Sequence, residues 1–182
     1  MRLPPIVTTR LELVSFDLSF LEALLGDRPS LAEAIGGFSI PPGWPDEHDR
    51  HFLDLRLNQL REDPGLQPWL ARAMVLRDDP LRPMAGHIGF HGPPKDGAVE
   101  LGYTVFLQYR RQGLAEEAVR AMMDWAHREH GISHFIVSIA PDNAPSLGLA
   151  AKLAFRRTGE QMDPEDGLEY VFELSYVPGA AR

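Results

Sequence analysis

An apolar strand pattern that runs into a long amphipathic helix constrains this chain more than any other stretch. Val99 to Leu107 reads as a strand, and residues 114–129 read as a helix with Ala118, Met122, Trp125 and Ala126 on its inner face. Gly131 stands where the C-terminal cap belongs. Upstream, residues 69–77 and 84–91 read as strands separated by the turn Asp78-Asp79-Pro80, and Gly92 to Gly97 is a second turn cluster. Downstream come a short apolar strand, Phe135 to Ile139, a helix from Asn143 to Leu153 and an alternating strand over 168–175. The order of this half is βββαβαβ. Hairpin-joined middle strands predict a mixed α/β domain rather than a doubly wound one.

The first half reads differently. Thr9 to Val14 alternates like a half-buried strand, and Asp17 is placed to cap a short helix carrying Leu18, Leu21, Leu24 and Leu25. Ser30-Leu31-Ala32-Glu33 predicts a capping box, and Gly36-Gly37 stops the helix it opens. Residues 40–45 are too rich in proline for strand or helix, and residues 46–62 read as helical, with Phe52, Leu55 and Leu60 among the apolar positions. There is no repeat and no linker. A single domain over 1–182 is expected, with 9–68 forming one side and 69–176 the core.

Composition narrows the function. With 182 residues and 44% apolar residues the chain can bury a sizeable core. It has no cysteine, which excludes a disulfide scaffold, a thiolate zinc site and a cysteine nucleophile. A net charge of −8 argues against a nucleic-acid partner and mildly favours a cationic one. There is no apolar run long enough for a membrane span, and Met1-Arg2-Leu3-Pro4-Pro5 does not resemble a signal peptide, so a cytoplasmic location is expected and no membrane partner.

The junction Tyr109-Arg110-Arg111-Gln112-Gly113-Leu114-Ala115-Glu116-Glu117 carries the chemistry. Glycine permits close approach of a ligand or an unusual backbone angle. The free N–H groups of the first helical turn, backed by the helix dipole, suit an anion, most naturally a pyrophosphate. Arg110 and Arg111 add positive charge. The alternative is a plain strand-to-helix turn. The segment has neither the Gly-Lys-Ser/Thr ending of a P-loop nor a three-glycine dinucleotide pattern.

Arg110-x-x-Gly113-x-Ala115 resembles the Arg/Gln-x-x-Gly-x-Gly/Ala signature of the GCN5-related N-acetyltransferases (GNAT). Glu100-Leu101-Gly102-Tyr103 precedes it at the family's distance. Asn143-Ala144-Pro145-Ser146 and Lys152-Leu153-Ala154-Phe155 follow, similar to the family's Asn-x-x-Ser and Lys-x-Gly-Phe segments. Thr9 to Leu13 is similar to the start of the Rim-type branch, the ribosomal-protein-alanine acetyltransferases and their relatives. The resemblance implies a GNAT-like acyl-CoA N-acyltransferase fold, with a mostly antiparallel sheet of about six to seven strands flanked by helices and a splay between the fourth and fifth. It implies acetyl-CoA as co-substrate. Val105 and Leu107 would then offer backbone groups to the pantetheine arm, and the N–H groups of Arg111, Gln112, Gly113, Leu114 and Ala115 would hold the pyrophosphate. Leu107 stands where the family often has proline.

An acceptor amine must attack as the free base. A lysine-like amine of pKa about 10.4 is free only about once in a few thousand molecules at neutral pH, and an α-amine of pKa about 8 about one time in ten. Glu100 is the candidate base, directly or through a water; its alternative is a solvent-facing or arginine-paired side chain. A backbone N–H near Val105 or Phe106 is the candidate oxyanion donor. Many relatives carry an acidic tyrosine where this chain has Ala150, so Ser146 becomes the candidate for meeting the leaving thiolate. Asn143 is both a candidate helix cap and a cofactor contact.

In the family the early helices wall the acceptor. Phe38, Trp44, His48, His51 and Phe52, interleaved with Asp46, Glu47 and Asp49, would suit a cation, or else pack on the core with the acids solvated. His48 and His51 have no further ligands near them, and no metal is expected. His87, His91, His127 and His130 read as structural or surface groups. The expected function is acetyl transfer from acetyl-CoA to a primary amine, either a protein N-terminus or a small cationic molecule. A non-catalytic CoA-binding sensor or interaction module is the alternative. An exposed final strand would be open to pairing in a homodimer.

Overall fold

The structure, a computed structural model, describes residues 3–164 and 167–177. Its elements are β1 (Ile6–Val7), β2 (Leu11–Ser15), α1 (Leu18–Leu25), α2 (Pro29–Gly36), α3 (Glu47–Glu62), β3 (Arg72–Leu76), β4 (Met84–Phe90), β5 (Ala98–Val105), α4 (Leu114–His130), β6 (His134–Ile139), α5 (Ala144–Lys152), β7 (Arg156–Asp163) and β8 (Gly167–Ser175). Short 3-10 turns cover Pro64–Leu66 and Leu107–Tyr109. The hydrogen-bonded strand order is β1-β2-β3-β4-β5-β6-β8-β7, eight strands rather than the expected six or seven. This is the mixed α/β GNAT-type architecture. No helix of the described residues is long and apolar enough to cross a membrane.

The chain forms two compact units. The first holds the residues up to Gly89 together with Tyr103–Ala118. Its strands β1 to β4 are antiparallel neighbours; Leu11 pairs with Leu76 and Ser15 with Arg72. The alternation of β2 puts Leu11 and Leu13 wholly inside. Asp17 caps α1 by accepting from the Phe20 N–H at 2.8 Å, which turns Phe20, Leu21 and Leu24 onto the same core, where the rings of Phe16 and Phe20 stack at 4.7 Å. Leu53, Leu57 and Leu60 of α3 complete it. The predicted capping box is absent. The helix begins two residues earlier, with Pro29 in its first turn and Arg28 as an uncapped N-cap. Glu33 instead accepts from the Ile40 N–H at 2.8 Å and ties down the proline-rich loop.

The second unit holds Phe90–Gly102 and the residues from Val119 on. Here β5 and β6 form a parallel ladder from Ala98↔His134 to Glu100↔Ile136, and β8 lies antiparallel to both β6 and β7. Met122, Met123 and Ala126 of α4 are buried, and Phe90 stacks near both Trp125 and Phe135, at 6.3 Å and 6.5 Å. The final strand is therefore interior, flanked on both sides, and the exposed-edge route to a dimer through it is closed. The edge is β7, whose residues Arg156 to Met162 are all exposed. Its run Arg-Arg-Thr-Gly-Glu-Gln has no apolar alternation, and this polarity hid the strand in the sequence and blunts the edge against pairing.

Candidate active site

The turn before α4 is built from unusual backbone. Arg111 and Gly113 both have positive φ, 60° and 76°, on either side of Gln112. Alternation of this kind turns successive N–H groups toward one concave point. Leu114 and Ala115 add first-turn N–H groups of a long helix, the kind to which the helix itself offers no carbonyl partner. Glu117 would oppose an anion here, but it faces away and is neutralised. Its carboxylate accepts from Thr8 Oγ1 at 2.6 Å, from the Arg10 N–H at 2.7 Å and from Arg10 Nε at 2.6 Å. Burial pushes Glu117 up, but these three donors outweigh it and hold its carboxyl below the usual range. Arg10 Nη1 also donates to the Gln112 carbonyl at 2.7 Å, clamping the turn itself.

The strand that feeds this turn ends sooner than expected. β5 stops at Val105; Leu107 lies in the 3-10 turn, 77% exposed, and its carbonyl accepts the Arg110 N–H at 3.3 Å. Leu107 therefore has no strand edge to offer. The Phe106 N–H donates to the Ala85 carbonyl at 2.9 Å, so it faces β4 and is not placed to meet an oxyanion. Alternation turns the Val105 N–H to the opposite edge. Arg110 folds back, its Nε donating to the Val105 carbonyl at 2.9 Å, and so braces the strand end. Among the described residues the β5–β6 ladder covers three residue pairs, while β5 runs on to Val105 and β6 to Ile139.

In the second unit Glu100 is half-buried, and among the described residues its side chain meets Ser138 and His91. Its Oε1 accepts from Ser138 Oγ at 2.6 Å, and Gln161 Nε2 donates to the same hydroxyl at 3.1 Å. Its Oε2 stands 3.6 Å from His91 Nδ1, beyond hydrogen-bond length but within ion-pair reach. His91, and then the Ser138 hydroxyl, hold the carboxyl below its ordinary range, against burial and the charge of Asp163, which push it up. On α5, Asn143 is the helix cap, accepting from the Ser146 N–H at 3.2 Å; Ser146 is half-buried in the first turn and Ala150 is buried.

The aromatic and acidic segment divides. Phe38 is core, and Asp46 is the cap of α3, accepting from the Asp49 N–H at 2.9 Å. Trp44, Phe52 and Phe106 surround the buried His87, with ring centroids 6.2 Å, 5.2 Å and 6.5 Å away. Asp49 Oδ1 stands 3.4 Å from His87 Nε2. Burial pushes Asp49 up, but His87, His48 and the Trp44 indole outweigh it and hold it low. His87 and His91 are the two residues that sequence reasoning underrated. His87 lies in β4 and His91 just past its end, and the alternation His87-Ile88-Gly89-Phe90-His91 was the available signal. Among the described residues no cluster of metal-ligating side chains occurs.

A family model for the acetyltransferase (GNAT) domain matches residues 10–156. The uncharacterized N-acetyltransferase YjdG of Bacillus subtilis is 25% identical over 150 residues, 81% of this chain and 87% of that protein. The uncharacterized N-acetyltransferase YnaD of the same organism is 29% identical over 86 residues, 47% of this chain and 49% of that protein, so the match spans about half of that relative. Among solved structures, the Salmonella typhimurium acetyl transferase that modifies the N-terminal serine of 50S ribosomal subunit protein L7/L12 aligns with a TM-score of 0.62 at 19% identity, covering 95% of this chain and 98% of that one. At that identity the likeness speaks for the fold.

Proposed function

The chain belongs to the GNAT family of acetyltransferases, and we propose that it transfers an acetyl group from acetyl-CoA directly to a primary amine, the α-amine of a protein N-terminus or a small amine. The observation that carries this reading is the turn of Arg111 to Gly113, with its paired left-handed residues and its clamped Glu117. That turn fits a pyrophosphate by charge and by the direction of its N–H groups.

Bound acetyl-CoA supplies an electrophilic thioester carbonyl. The N–H groups of residues 111–115 grip the pyrophosphate in this reading. The Val105 N–H lies on the edge open to a pantetheine amide. The amine loses its proton to the Glu100 cluster. The Ser146 hydroxyl meets the leaving sulfur, since Ala150 has no acidic group to offer. The absence of cysteine makes the transfer direct, without a cysteine acyl-enzyme. The structural relative that modifies a ribosomal N-terminal serine makes a free α-amine the first acceptor to try.

The test is calorimetry with acetyl-CoA, followed by thiol release with two probes: a short peptide with a free N-terminal serine and no lysine, and a small alkyl diamine. Binding with turnover of either amine supports the reading, and the preferred probe names the acceptor class. Binding without turnover of either would make the chain a CoA-binding module instead.

A further inference from the structure

We propose that His91, through Nε2, is the group that takes the proton from the acceptor amine, and that Glu100 is its positioning residue. This rests on the acetyltransferase reading. His91, just past the end of β4, is opposite Glu100 of β5, with the His91 N–H donating to the Glu100 carbonyl at 2.9 Å. Both oxygens of Glu100 already have a task. Oε1 is fixed by Ser138, itself held by Gln161, and Oε2 faces His91 Nδ1 at 3.6 Å. Catalytic hydrogen bonds of this kind are often long before substrate binds. A carboxylate so stabilised holds a proton poorly and orients a ring well, the same division of labour found wherever a carboxylate sits behind a catalytic imidazole.

The far side of the ring supplies the second observation. A Cβ at residue 102 would stand 2.9 Å from His91 Nε2, closer than real Cβ contacts come. Gly102 therefore leaves the space that the ring occupies, and Nε2 stands over β5 at that residue. The His91 side chain is 53% exposed, so a proton taken up there exchanges with water. Among the described residues the Glu100 carboxylate stands against the ring, and the charge of Asp163 acts on that carboxylate.

In the step itself one N–H bond of the substrate ammonium breaks. Its electron pair stays on nitrogen as the attacking lone pair, and an Nε2–H bond forms. The imidazolium is offset by the Glu100 carboxylate and then loses its proton to solvent. An imidazole is by nature a stronger base than a carboxylate by about two pK units, so it does this more readily at neutral pH.

Three variants test the assignment, assayed by thiol release from acetyl-CoA with the two amine probes. His91→Gln should lower kcat by about 100-fold at neutral pH, the usual scale for losing a general base, with acetyl-CoA affinity unchanged by calorimetry. The deficit should shrink at alkaline pH, where the amine is already free. Gly102→Ala should fold normally, because a side-chain tip can yield to the new methyl, yet lower kcat by displacing the ring. Glu100→Gln should cost less than His91→Gln. A His91→Gln enzyme of wild-type rate overturns the proposal, as does a Glu100→Gln loss exceeding that of His91→Gln with Gly102→Ala silent, which would make Glu100 the base. Wild-type protein that binds acetyl-CoA but acetylates neither probe would instead overturn the catalytic reading, and this assignment with it.

Discussion

Arg10 holds Glu117 with its Nε at 2.6 Å and, with Nη1, the Gln112 carbonyl at 2.7 Å. One side chain just before β2 thus silences the acid of the first turn of α4 and fixes the turn that precedes it. Arg10→Met should release the turn and leave Glu117 held only by Thr8 and the backbone N–H of residue 10. The lost charge-assisted bonds are partly exposed, so their loss should cost about 1 kcal/mol, seen as an acetyl-CoA Kd roughly fivefold weaker. Calorimetry decides this, and unchanged affinity would mean that the turn keeps its shape without the clamp.

The same contact gives stability a pH dependence. Glu117 has a folded pKa below its unfolded one, so its contribution is present above the unfolded carboxyl value, about 4.3, and is lost as pH falls through the folded value. Glu117→Gln should lower Tm at neutral pH and converge with wild type as both reach strong acid. A gap that persists unchanged at the acid end would trace the loss to packing rather than charge.

Much of the fold was legible because its signals are local. Asp17 is followed by a leucine-bearing helix face, and Gly113 sits between an apolar strand and an amphipathic helix; both positions behave as their chemistry dictates. The strand β7 escaped because a polar edge strand carries no alternation, and the box at Ser30 failed because Pro29 offered an earlier start. The candidate site was legible only in part. Glu100 was visible as an acid in a strand, but its partners Ser138, Gln161 and His91 lie 38, 61 and 9 residues away in sequence, and only the pairing of strands brings them together. The loss of Leu107 and Phe106 as backbone donors has a similar origin. A strand that stops two residues early, and one N–H turned to Ala85, leave no trace in side-chain identity.

Gly113 is required by its backbone more than by crowding. An added Cβ would meet only Arg10 Nη2, at an ordinary 3.5 Å, but φ is +76°. Gly113→Ala should cost about 1 kcal/mol from the left-handed conformation, a fall in Tm of about 2–4 °C for a chain of this size, together with weaker acetyl-CoA binding. Gly113→Val should be worse on both counts. Full acetyl-CoA affinity in Gly113→Val would remove the turn from the cofactor site.

Ala154 presents the opposite case. It follows α5 with φ +65°, a backbone conformation that favours glycine. Alanine bears the left-handed cost that glycine avoids, so Ala154→Gly should raise Tm by a few degrees, offset partly by the freer unfolded chain. Thermal unfolding of the two proteins side by side measures this, and a lowered Tm would show that the methyl group has packing value that outweighs the backbone.

Tyr176 gives the second unit a stability contribution that depends on alkaline pH. Its hydroxyl donates to Asp124, and its ring stands edge-on to Phe135 at 5.7 Å. Burial, then the Asp124 hydrogen bond and charge, push the phenol up to about 12 from an ordinary value near 10. The folded state therefore keeps this proton when the unfolded chain would release it. The stabilisation is fully present below the unfolded value and is lost as pH rises through the folded one. Wild type should lose stability steeply across that alkaline window, and Tyr176→Phe, less stable at neutral pH for want of the Asp124 bond, should lose less there. Tyrosinate absorbance provides an independent readout, because the substitution should remove the fraction that ionises last. Parallel alkaline stability profiles for the two proteins would show that the Asp124 contact does not carry this protonation difference.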